Sequence, residues 1–400
     1  MMPSPNADQN AMVAEEFVAC LRTVLGTPRQ TISLHEPQFT GNEWHYVKEC
    51  LDTGWVSSVG KFVDELENRL AQYTGSKYAV VVVNGTAALQ MALVVAGVKP
   101  GDEVLVPAMS FVATANAVVH CGAVPHFVDS AENTLGLDPC ALQSYLSAIV
   151  KSSDCGAINR HTGRRLAAVV PMHTFGHPVD MPRLLSIAKQ YRLRVVEDAA
   201  ESLGSLIGTR HTGTFGDMGI LSFNGNKVIT TGGGGAILTD DAADARRLKH
   251  LTTTAKQAHP WEFVHDEPAY NFRMPNINAA LGCAQLERLP AILGQKRKLA
   301  DRYQAVFAGV HAVSFVGEPS GCCSNYWLNT VRVHNGSTAL RDTLLQCAHD
   351  AGYLCRPVWR LLPRLPMYEA CPRSPLPVAE RLEVELINLP SSPGLMKELL

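Results

Sequence analysis

Short apolar segments that alternate with helix-like segments constrain the fold of this chain more than any other feature. Seven of them have the length and composition of strands: 79–83, 103–107, 124–129, 167–172, 194–198, 218–223 and 235–240. Helical periodicity lies between them, as in MPRLLSIAKQYR at 181–192. Such alternation is typical of a parallel sheet that is buried on both faces. The pattern predicts an α/β fold with a mostly parallel, seven-stranded sheet between helices, in which the last two strands could form an antiparallel hairpin at the sheet edge.

The alternation of short strands and helices ends at about residue 250. A long helical pattern covers 276–310, and a strand-like segment and a helix near 338–352 follow it. At the other end, 1–12 predict a frayed tail and 13–25 an amphipathic helix. We therefore expect three regions: an N-terminal tail and helix at 1–30, a large domain at 31–250 and a smaller C-terminal α/β domain at 251–400.

Composition excludes several classes of protein. The chain is 46% hydrophobic and 18% charged, with 35 Lys and Arg against 37 Asp and Glu, which excludes intrinsic disorder and a chain-wide basic surface. No segment approaches the roughly 20 apolar residues of a membrane-spanning helix, and the N-terminus does not resemble a signal peptide. The 11 cysteines show no CxxC spacing and fit a reducing compartment. We expect a cytoplasmic protein with no nucleic-acid, membrane or metal partner.

Three groups at predicted strand ends could bind a ligand, because ligands of parallel α/β sheets bind where the strands end. Asn84-Gly85-Thr86 follows a strand and opens a helix, whose first amides and hydroxyl could hold a phosphate. Any turn between a strand and a helix could also have this sequence. Glu197-Asp198 ends another strand, where a carboxylate faces a cofactor or caps the next helix. Phe111 follows a third strand end and is either a stacking surface or a core residue.

Lys227 is the most unusual residue of the sequence. It is the only charged residue between 220 and 238 and precedes four consecutive glycines at 232–235. A lysine that is removed from water can act as a Schiff-base nucleophile. A P-loop is rejected because neither GxxxxGK[ST] nor GxGxxG occurs here. A phosphate seat, a flat aromatic ring, a carboxylate and a lysine are together what pyridoxal 5′-phosphate (PLP) needs.

Six strings extend this pattern: NGTAAL (84–89), VPAMSFVATANAV (106–118), VEDAAES (196–202), SFNGNK…GGGG (222–235), YNFRMPNINAALGCAQLERL (270–289) and RPVW (356–359). In these strings the chain resembles the DegT/DnrJ/StrS family of nucleotide-sugar aminotransferases, over about 35–393. The resemblance implies the fold-type I PLP-dependent aminotransferase fold, PLP as cofactor, and a homodimer with shared active sites.

The resemblance also implies roles for particular residues. Lys227 would bind the aldehyde of PLP and Asp198 would pair with its pyridine nitrogen, so these two are the candidate catalytic residues. Glu201 stands near the phenolic oxygen, where family members often have Gln or His, and a carboxylate there must share a proton or face a donor. The implied cofactor-binding set is Gly85, Thr86, Ala87, Phe111, Asp198, Glu201, Ser222, Lys227 and, from the partner subunit, Asn271.

Further strings are similar to the LegC-type branch of the family: GWVSSVGKFVDELE (54–67), HTFGHPVDM (173–181), LTTTAK (251–256), SNYWLNT (324–330), LPMY (365–368) and INLPSSP (387–393). The branch implies transfer of the amino group of L-glutamate to C4 of a nucleotide-linked 4-keto-6-deoxy-N-acetylhexosamine, here expected to be UDP-linked. The product would serve surface glycan synthesis of the bacillosamine or legionaminic type. Pro363 departs from the branch, which has a His before the LPMY string, and proline can neither donate nor titrate.

Other functions remain open. One is amination of a GDP-linked or C3-keto sugar. Another is a sugar dehydratase, in which a His replaces the lysine, and Lys227 argues against it. A third is a non-catalytic PLP-binding regulator, which could lose Lys227 or Asp198 freely, although both are present.

The sugar site is expected to draw on three segments: 54–58, 173–177, and 325–327 together with Arg356. The segment 270–276 is expected to reach the partner's cofactor, or alternatively to be only the capped start of the helix at Asn276. Asn271 and Arg273 would lie on one side of an extended strand, because side chains alternate along it, and Arg273 is a candidate for a substrate carboxylate or phosphate. Each His or Trp alone could equally be a core residue. We expect the hexose to be lined by Trp55, Ser57, His173 and Tyr326, with Arg356 near an anionic group.

Overall fold

The computed structural model describes residues 5–153, 156–334 and 336–396. Its helices are α1 (Pro5–Leu25), α2 (Glu43–Thr53), α3 (Lys61–Thr74), α4 (Gly85–Val95), α5 (Val112–His120), α6 (Pro139–Ile149), α7 (Met181–Tyr191), α8 (Ala242–Thr252), α9 (Asn276–Phe307), α10 (Thr338–Asp350) and α11 (Pro377–Glu385). Its strands up to residue 200 are β1 (Tyr78–Val82), β2 (Glu103–Pro107), β3 (Val124–Val128), β4 (Val150–Ser153), β5 (Gly156–Asn159), β6 (Arg165–Val169) and β7 (Arg194–Asp198). The later strands are β8 (Leu206–Ile207), β9 (Arg210–His211), β10 (Met218–Ser222), β11 (Gly235–Thr239), β12 (Val313–Phe315), β13 (Cys322–Cys323), β14 (Asn329–Val333), β15 (Arg356–Pro357) and β16 (Leu386–Leu389).

The central sheet has nine strands, and the seven predicted strands form its main path in the order β1-β11-β10-β7-β6-β2-β3. The path from β10 to β3 is parallel throughout, as predicted. The other two strands, β4 and β5, form an antiparallel hairpin on β6 that the sequence did not predict. The segment Val150–Ser153 reads VKSS, which lacks the apolar run of a buried strand.

The antiparallel pair β10–β11 was expected at the sheet edge, and that position is wrong. β1 pairs with the outer side of β11, so β1 is the edge strand. The register aligns Val82 with Gly235 and Gly235 with Ser222. Because β7 also runs parallel to β10, the ends of β1, β7 and β10 meet at one edge of the sheet.

The described residues form three cores: a large one around the central sheet, one between that sheet and helices α6 and α7, and one around the four-stranded sheet β12-β14-β16-β15. The large core and the core of the four-stranded sheet lie along one helix. Helix α9 joins these two, since Ile292 packs in the large core and Tyr303 in the core of the four-stranded sheet. Helix α1 begins at Pro5, within the predicted tail, and its Phe17 ring lies 5.9 Å from that of Phe307. The first and last parts of the chain therefore share one core. The boundary at residue 250 stays a prediction.

None of the helices within the described ranges combines the length and the apolar character that crossing a lipid bilayer requires.

Candidate active site

A cavity of about 320 Å³ opens where β1, β7 and β10 end. The alternation of strand and helix explains its place, because each strand end turns outward there into a loop or a helix N-terminus. The cavity brings together seven of the predicted cofactor-binding residues: Gly85, Thr86, Phe111, Asp198, Glu201, Ser222 and Lys227.

The N-terminus of α4 forms one wall of the cavity. Asn84 is extended at φ −169° and accepts a hydrogen bond from the amide of Ala87 at 2.8 Å, which caps the helix. A side chain at Gly85 would place its Cβ 3.0 Å from Cβ of Ser222, so only glycine lets the helix start lie this close to the serine hydroxyl. The first helical amides, Thr86 and Ser222 therefore form one seat for an anion. The Ala87 amide already serves Asn84, which corrects its predicted role in holding the cofactor.

Asp198 ends β7 and faces the cavity. Its carboxyl group accepts hydrogen bonds from the Thr114 hydroxyl at 2.8 Å and from the Ala200 amide at 3.2 Å. The element that follows is the short strand β8, so Asp198 caps no helix. Glu197, the preceding residue, instead binds the amides of Gly213, Phe215 and Gly216.

Lys227 lies at the base of the cavity and is 8% exposed. Its Nζ is 3.3 Å from Oε1 of Glu201 and 4.1 Å from the ring centroid of Trp327. The other carboxyl oxygen of Glu201 accepts the amide of Phe175 at 3.0 Å. The lysine is thus held by a carboxylate on one side and an aromatic face on the other.

The two carboxyl groups of the cavity lack full compensation for their burial. Burial raises the pKa of Asp198, although Thr114, the Ala200 amide and Lys227 oppose the change. Burial also raises the pKa of Glu201 to about 7, against the attraction of Lys227. A buried carboxylate is stabilised when an opposite charge lies close by. The site therefore favours a ligand that brings positive charge to Asp198.

These observations fit PLP. The α4 seat matches a phosphate, the shortage of positive charge at Asp198 matches a protonated pyridine nitrogen, and Lys227 is the amine that an aldehyde needs. Glu201 at a pKa of about 7 can also carry a proton, which removes the repulsion that a second anionic oxygen would cause.

Two tryptophans in the cavity wall were missed by sequence reasoning. Trp327 and Trp359 both line the cavity, and the Trp359 ring lies 6.4 Å from that of Phe111. Phe111 itself is 49% exposed, so it belongs to the cavity surface and not to the core. The strings SNYWLNT and RPVW each contain one of these tryptophans. The sequence-based prediction, however, placed Tyr326 and Arg356 of these strings in the sugar site.

Two predicted sugar contacts are corrected. His173 has no exposed surface, and its Nε2 donates to Glu197 while its Nδ1 accepts the amide of Val179. Tyr326 is 4% exposed, and its hydroxyl accepts the amide of Glu318. Neither side chain lines the cavity, because its polar atoms are committed to the interior.

The remaining predicted residues lie outside this cavity. Trp55 and Ser57 are exposed on a loop whose carbonyl groups bind Asn276 at the start of α9. Arg273 pairs with Val82 of the edge strand β1 and Asn271 pairs with Thr253, with Nε of Arg273 3.4 Å from Oδ1 of Asn271. Arg356 is exposed on β15, in the smaller sheet.

One group of possible metal ligands lies elsewhere in the described chain. His250, Asp266 and Glu267 offer ligand atoms within 4.8 Å of one another. Arg247 already pairs with Glu267, and His250 lies 2.8 Å from Asp266. The guanidinium of Arg247 already supplies positive charge to Glu267, and we propose no metal.

Known proteins resemble this chain along almost its whole length. The model of the DegT/DnrJ/EryC1/StrS aminotransferase family matches residues 37–400. The chain is 36% identical over 370 residues to GDP-perosamine synthase of Caulobacter vibrioides, which covers 91% of this chain and 94% of that protein. It is 35% identical over 367 residues to GDP-perosamine synthase of Escherichia coli O157:H7, covering 92% and 95%. The PLP form of Spr1654 from Streptococcus pneumoniae has a TM-score of 0.81 at 28% identity, covering 90% of this chain and 93% of that one.

The predicted family, the fold-type I architecture and the PLP cofactor are thereby confirmed. The LegC-type branch stays a prediction. This chain belongs to the DegT/DnrJ/EryC1/StrS aminotransferase family and is a PLP-dependent sugar aminotransferase.

Proposed function

We propose that this enzyme transfers the amino group of L-glutamate to C4 of a nucleotide-linked 4-keto-6-deoxyhexose. The observation that carries the proposal is the cavity in which Lys227, Asp198 and the N-terminus of α4 converge. Bound PLP supplies the electron sink that makes the amino acid's Cα–H acidic.

The residues of the chain divide the remaining tasks. The first amides of α4, with Thr86 and Ser222, bind the phosphate. Asp198 holds a proton at the ring nitrogen by its negative charge, and Thr114 orients that carboxylate through the bond at 2.8 Å. Lys227 Nζ would hold the cofactor at its aldehyde group and would serve as the base that takes the proton from Cα. Glu201, with its pKa near 7, holds a proton next to Nζ.

We further propose that the enzyme acts as a homodimer whose subunits share their sites. Asn271 and Arg273 lie away from their own cavity but side by side at the sheet edge. A second cavity of about 570 Å³, lined by Lys256 and Arg273 among others, opens next to them and offers positive charge to a diphosphate. These residues would serve the cofactor and the nucleotide sugar of the partner subunit.

Subunit mixing tests this sharing. A heterodimer of a Lys227→Ala subunit and an Asn271→Ala subunit should contain one intact site, so mixing two inactive proteins should restore activity. If the mixture stays as inactive as its parents, each site is built from a single subunit.

The nucleotide that carries the sugar has two candidates, GDP and UDP. Identities of 36% and 35% to proteins named GDP-perosamine synthase support a GDP-linked sugar. The LegC-type strings support a UDP-linked N-acetylhexosamine. We favour GDP, because the first similarity extends over nine-tenths of the chain.

The deciding experiment incubates the purified enzyme with L-glutamate and a panel of GDP- and UDP-linked 4-keto-6-deoxyhexoses. Mass spectrometry should detect a GDP-linked product aminated at C4. Amination of the UDP-linked N-acetyl sugar alone would reverse the order of the candidates, and amination of neither would refute the proposed substrate class. We assign the reaction to the cytoplasm, which the free thiols of the described cysteines support.

A further inference from the structure

A second buried lysine lies behind the active-site cavity. Lys296 is in the middle of α9, at the junction of the two cores that this helix joins, and has no exposed surface. It does not belong to the cavity lining that contains Lys227. A buried lysine is costly unless its charge is compensated, so its surroundings require an explanation.

The ammonium of Lys296 meets three acceptors. Its Nζ is 2.7 Å from the carbonyl oxygen of Ser391, 3.1 Å from that of Trp327 and 3.1 Å from Nε2 of His35. A lysine ammonium has three N–H donors, so each has a partner. Desolvation and the neighbouring ammonium hold the pKa of His35 well below its usual range, which keeps its ring neutral and able to accept.

Trp327 is the one of these partners that reaches the active site. Its carbonyl oxygen binds Lys296, and its indole Nε1 donates to the carbonyl of Asn226 at 2.7 Å. The face of its ring lies 4.1 Å from Nζ of Lys227. A continuous path of contacts thus runs from Lys296 through Trp327 to the lysine that binds the cofactor.

We propose that Lys296 is a positioning residue of the active site, which fixes Trp327 and thereby the place of the Lys227 side chain. A charged donor makes a stronger and shorter hydrogen bond to a carbonyl than a neutral one does, so it restricts the Trp327 backbone. Misplacing a reacting group by about 1 Å can cost roughly 10²-fold in rate. The inference rests on the use of PLP by this site and not on the identity of the sugar.

The first experiment compares Lys296→Met with Lys298→Met, which removes an exposed lysine of the same helix. Cofactor-free protein is titrated with PLP and followed by absorbance. Burial lowers the pKa of Lys296 to about 7, so the titration is run at pH 6, below that value. The Kd for PLP should rise about tenfold in Lys296→Met, with a weaker band of lysine-bound cofactor, and stay within about twofold in Lys298→Met. Equal Kd values for the two variants would overturn the proposal.

The second experiment asks whether the effect passes through Trp327. In a Trp327→Ala background, the further change Lys296→Met should raise the Kd less than about twofold, because interacting residues are not additive. A full tenfold rise in that background would mean that Lys296 acts by another route, and the proposal would fall.

A milder pair of variants decides the matter if Lys296→Met does not fold. His35→Leu removes one acceptor of the ammonium, whereas His35→Gln supplies another. The Leu variant should raise the Kd for PLP about threefold and the Gln variant should not. No difference between the two would count against the proposal. Wild-type protein that takes up no PLP would instead contradict the cofactor site itself, so the two failures are distinguishable.

Discussion

Glu103 begins β2 and Asp198 ends β7. Because these strands run parallel, the two buried carboxyl groups lie at opposite ends of the strands of one sheet. Glu103 accepts hydrogen bonds from His126 at 2.8 Å, Asn159 at 2.8 Å and Thr162 at 2.6 Å. Burial would raise the pKa of Glu103, yet these donors outweigh burial and lower it. At Asp198, burial prevails and raises the pKa.

The difference separates a structural carboxylate from one that is prepared for a ligand. The Glu103 cluster is complete within the protein, so its charge contributes to stability. Asp198 has only a hydroxyl and one amide as donors, and the attraction of Lys227 does not offset its burial. We propose that its compensating charge comes from the cofactor. We predict that substitutions at Asp198 reduce activity, whereas substitutions at Glu103 reduce stability.

The largest effect is expected for Lys227→Ala. Loss of the amine removes both the attachment of PLP and the acid–base group, so turnover should fall by at least about 10²–10⁴-fold. The free energy of unfolding should stay near that of wild type, because Lys227 lies in a cavity and not in the packed core. Steady-state kinetics and urea unfolding check both parts, with Lys298→Ala as the exposed control. Near-normal turnover would refute the assignment.

Asp198→Asn should have the next largest effect. The substitution keeps the shape but removes the charge opposite the pyridine nitrogen, so kcat should fall by about 10²–10³-fold while some PLP still binds. The unfolding free energy of the cofactor-free protein should change by less than about 1 kcal/mol, because the buried charge is poorly compensated there. A large loss of stability with unchanged kcat would make Asp198 a structural residue like Glu103.

Glu103→Gln should show the reverse. The amide N–H of the new side chain would point at groups that are themselves hydrogen-bond donors. The loss of hydrogen bonds to a charged carboxylate should lower the unfolding free energy by about 2–3 kcal/mol. Folded enzyme should keep its kcat, since Glu103 is at the other end of the strands. Urea unfolding measures the loss, and the exposed Glu369→Gln is the matched control. Unchanged stability would mean that the cluster is not a stabilising feature.

The smallest effect concerns pH. The raised pKa of Glu201 means that its contribution to stability is full below pH 4.5 and is lost as pH rises through about 7. As pH rises from 5.5 to 7.5, the unfolding free energy of cofactor-free Glu201→Gln should therefore increase by about 2 kcal/mol relative to that of wild type. Glu103, with its lowered pKa, should act with the opposite sign: its contribution is present above pH 4.5 and is lost as pH falls through its folded pKa. Urea unfolding between pH 5.5 and 7.5 measures the first effect, and urea unfolding below pH 4.5 measures the second. A flat difference between Glu201→Gln and wild type from pH 5.5 to 7.5 would contradict the first.

The sequence predicted the parts of this molecule that are encoded locally. All seven main strands were predicted correctly because each is a short apolar run between turn residues. Asp198 became a candidate because it ends a predicted strand, and Lys227 because it is the only charged residue of its stretch. Trp327 and Thr114 were missed as site residues, since only tertiary packing brings them to Lys227 and Asp198.

The error at His173 has a geometric cause. His173 does follow a strand, but it pairs with Glu197 instead of facing the cavity. Successive side chains of a strand point to opposite faces, so Glu197 and its neighbour Asp198 point away from each other. The rule that ligands bind at strand ends predicts at which end of the strands the site lies. It does not predict to which face of the sheet a given side chain points.

The central claim is that Lys227 is the lysine that binds PLP, and the buried Lys296 makes the claim testable against a second candidate. Borohydride reduction of the PLP-loaded enzyme, followed by peptide mass spectrometry, fixes the cofactor on the lysine that holds it. We predict one label per chain, on Lys227, and none in the Lys227→Ala variant. A label on Lys296 or on a surface lysine, or an equal label in the variant, would contradict the account.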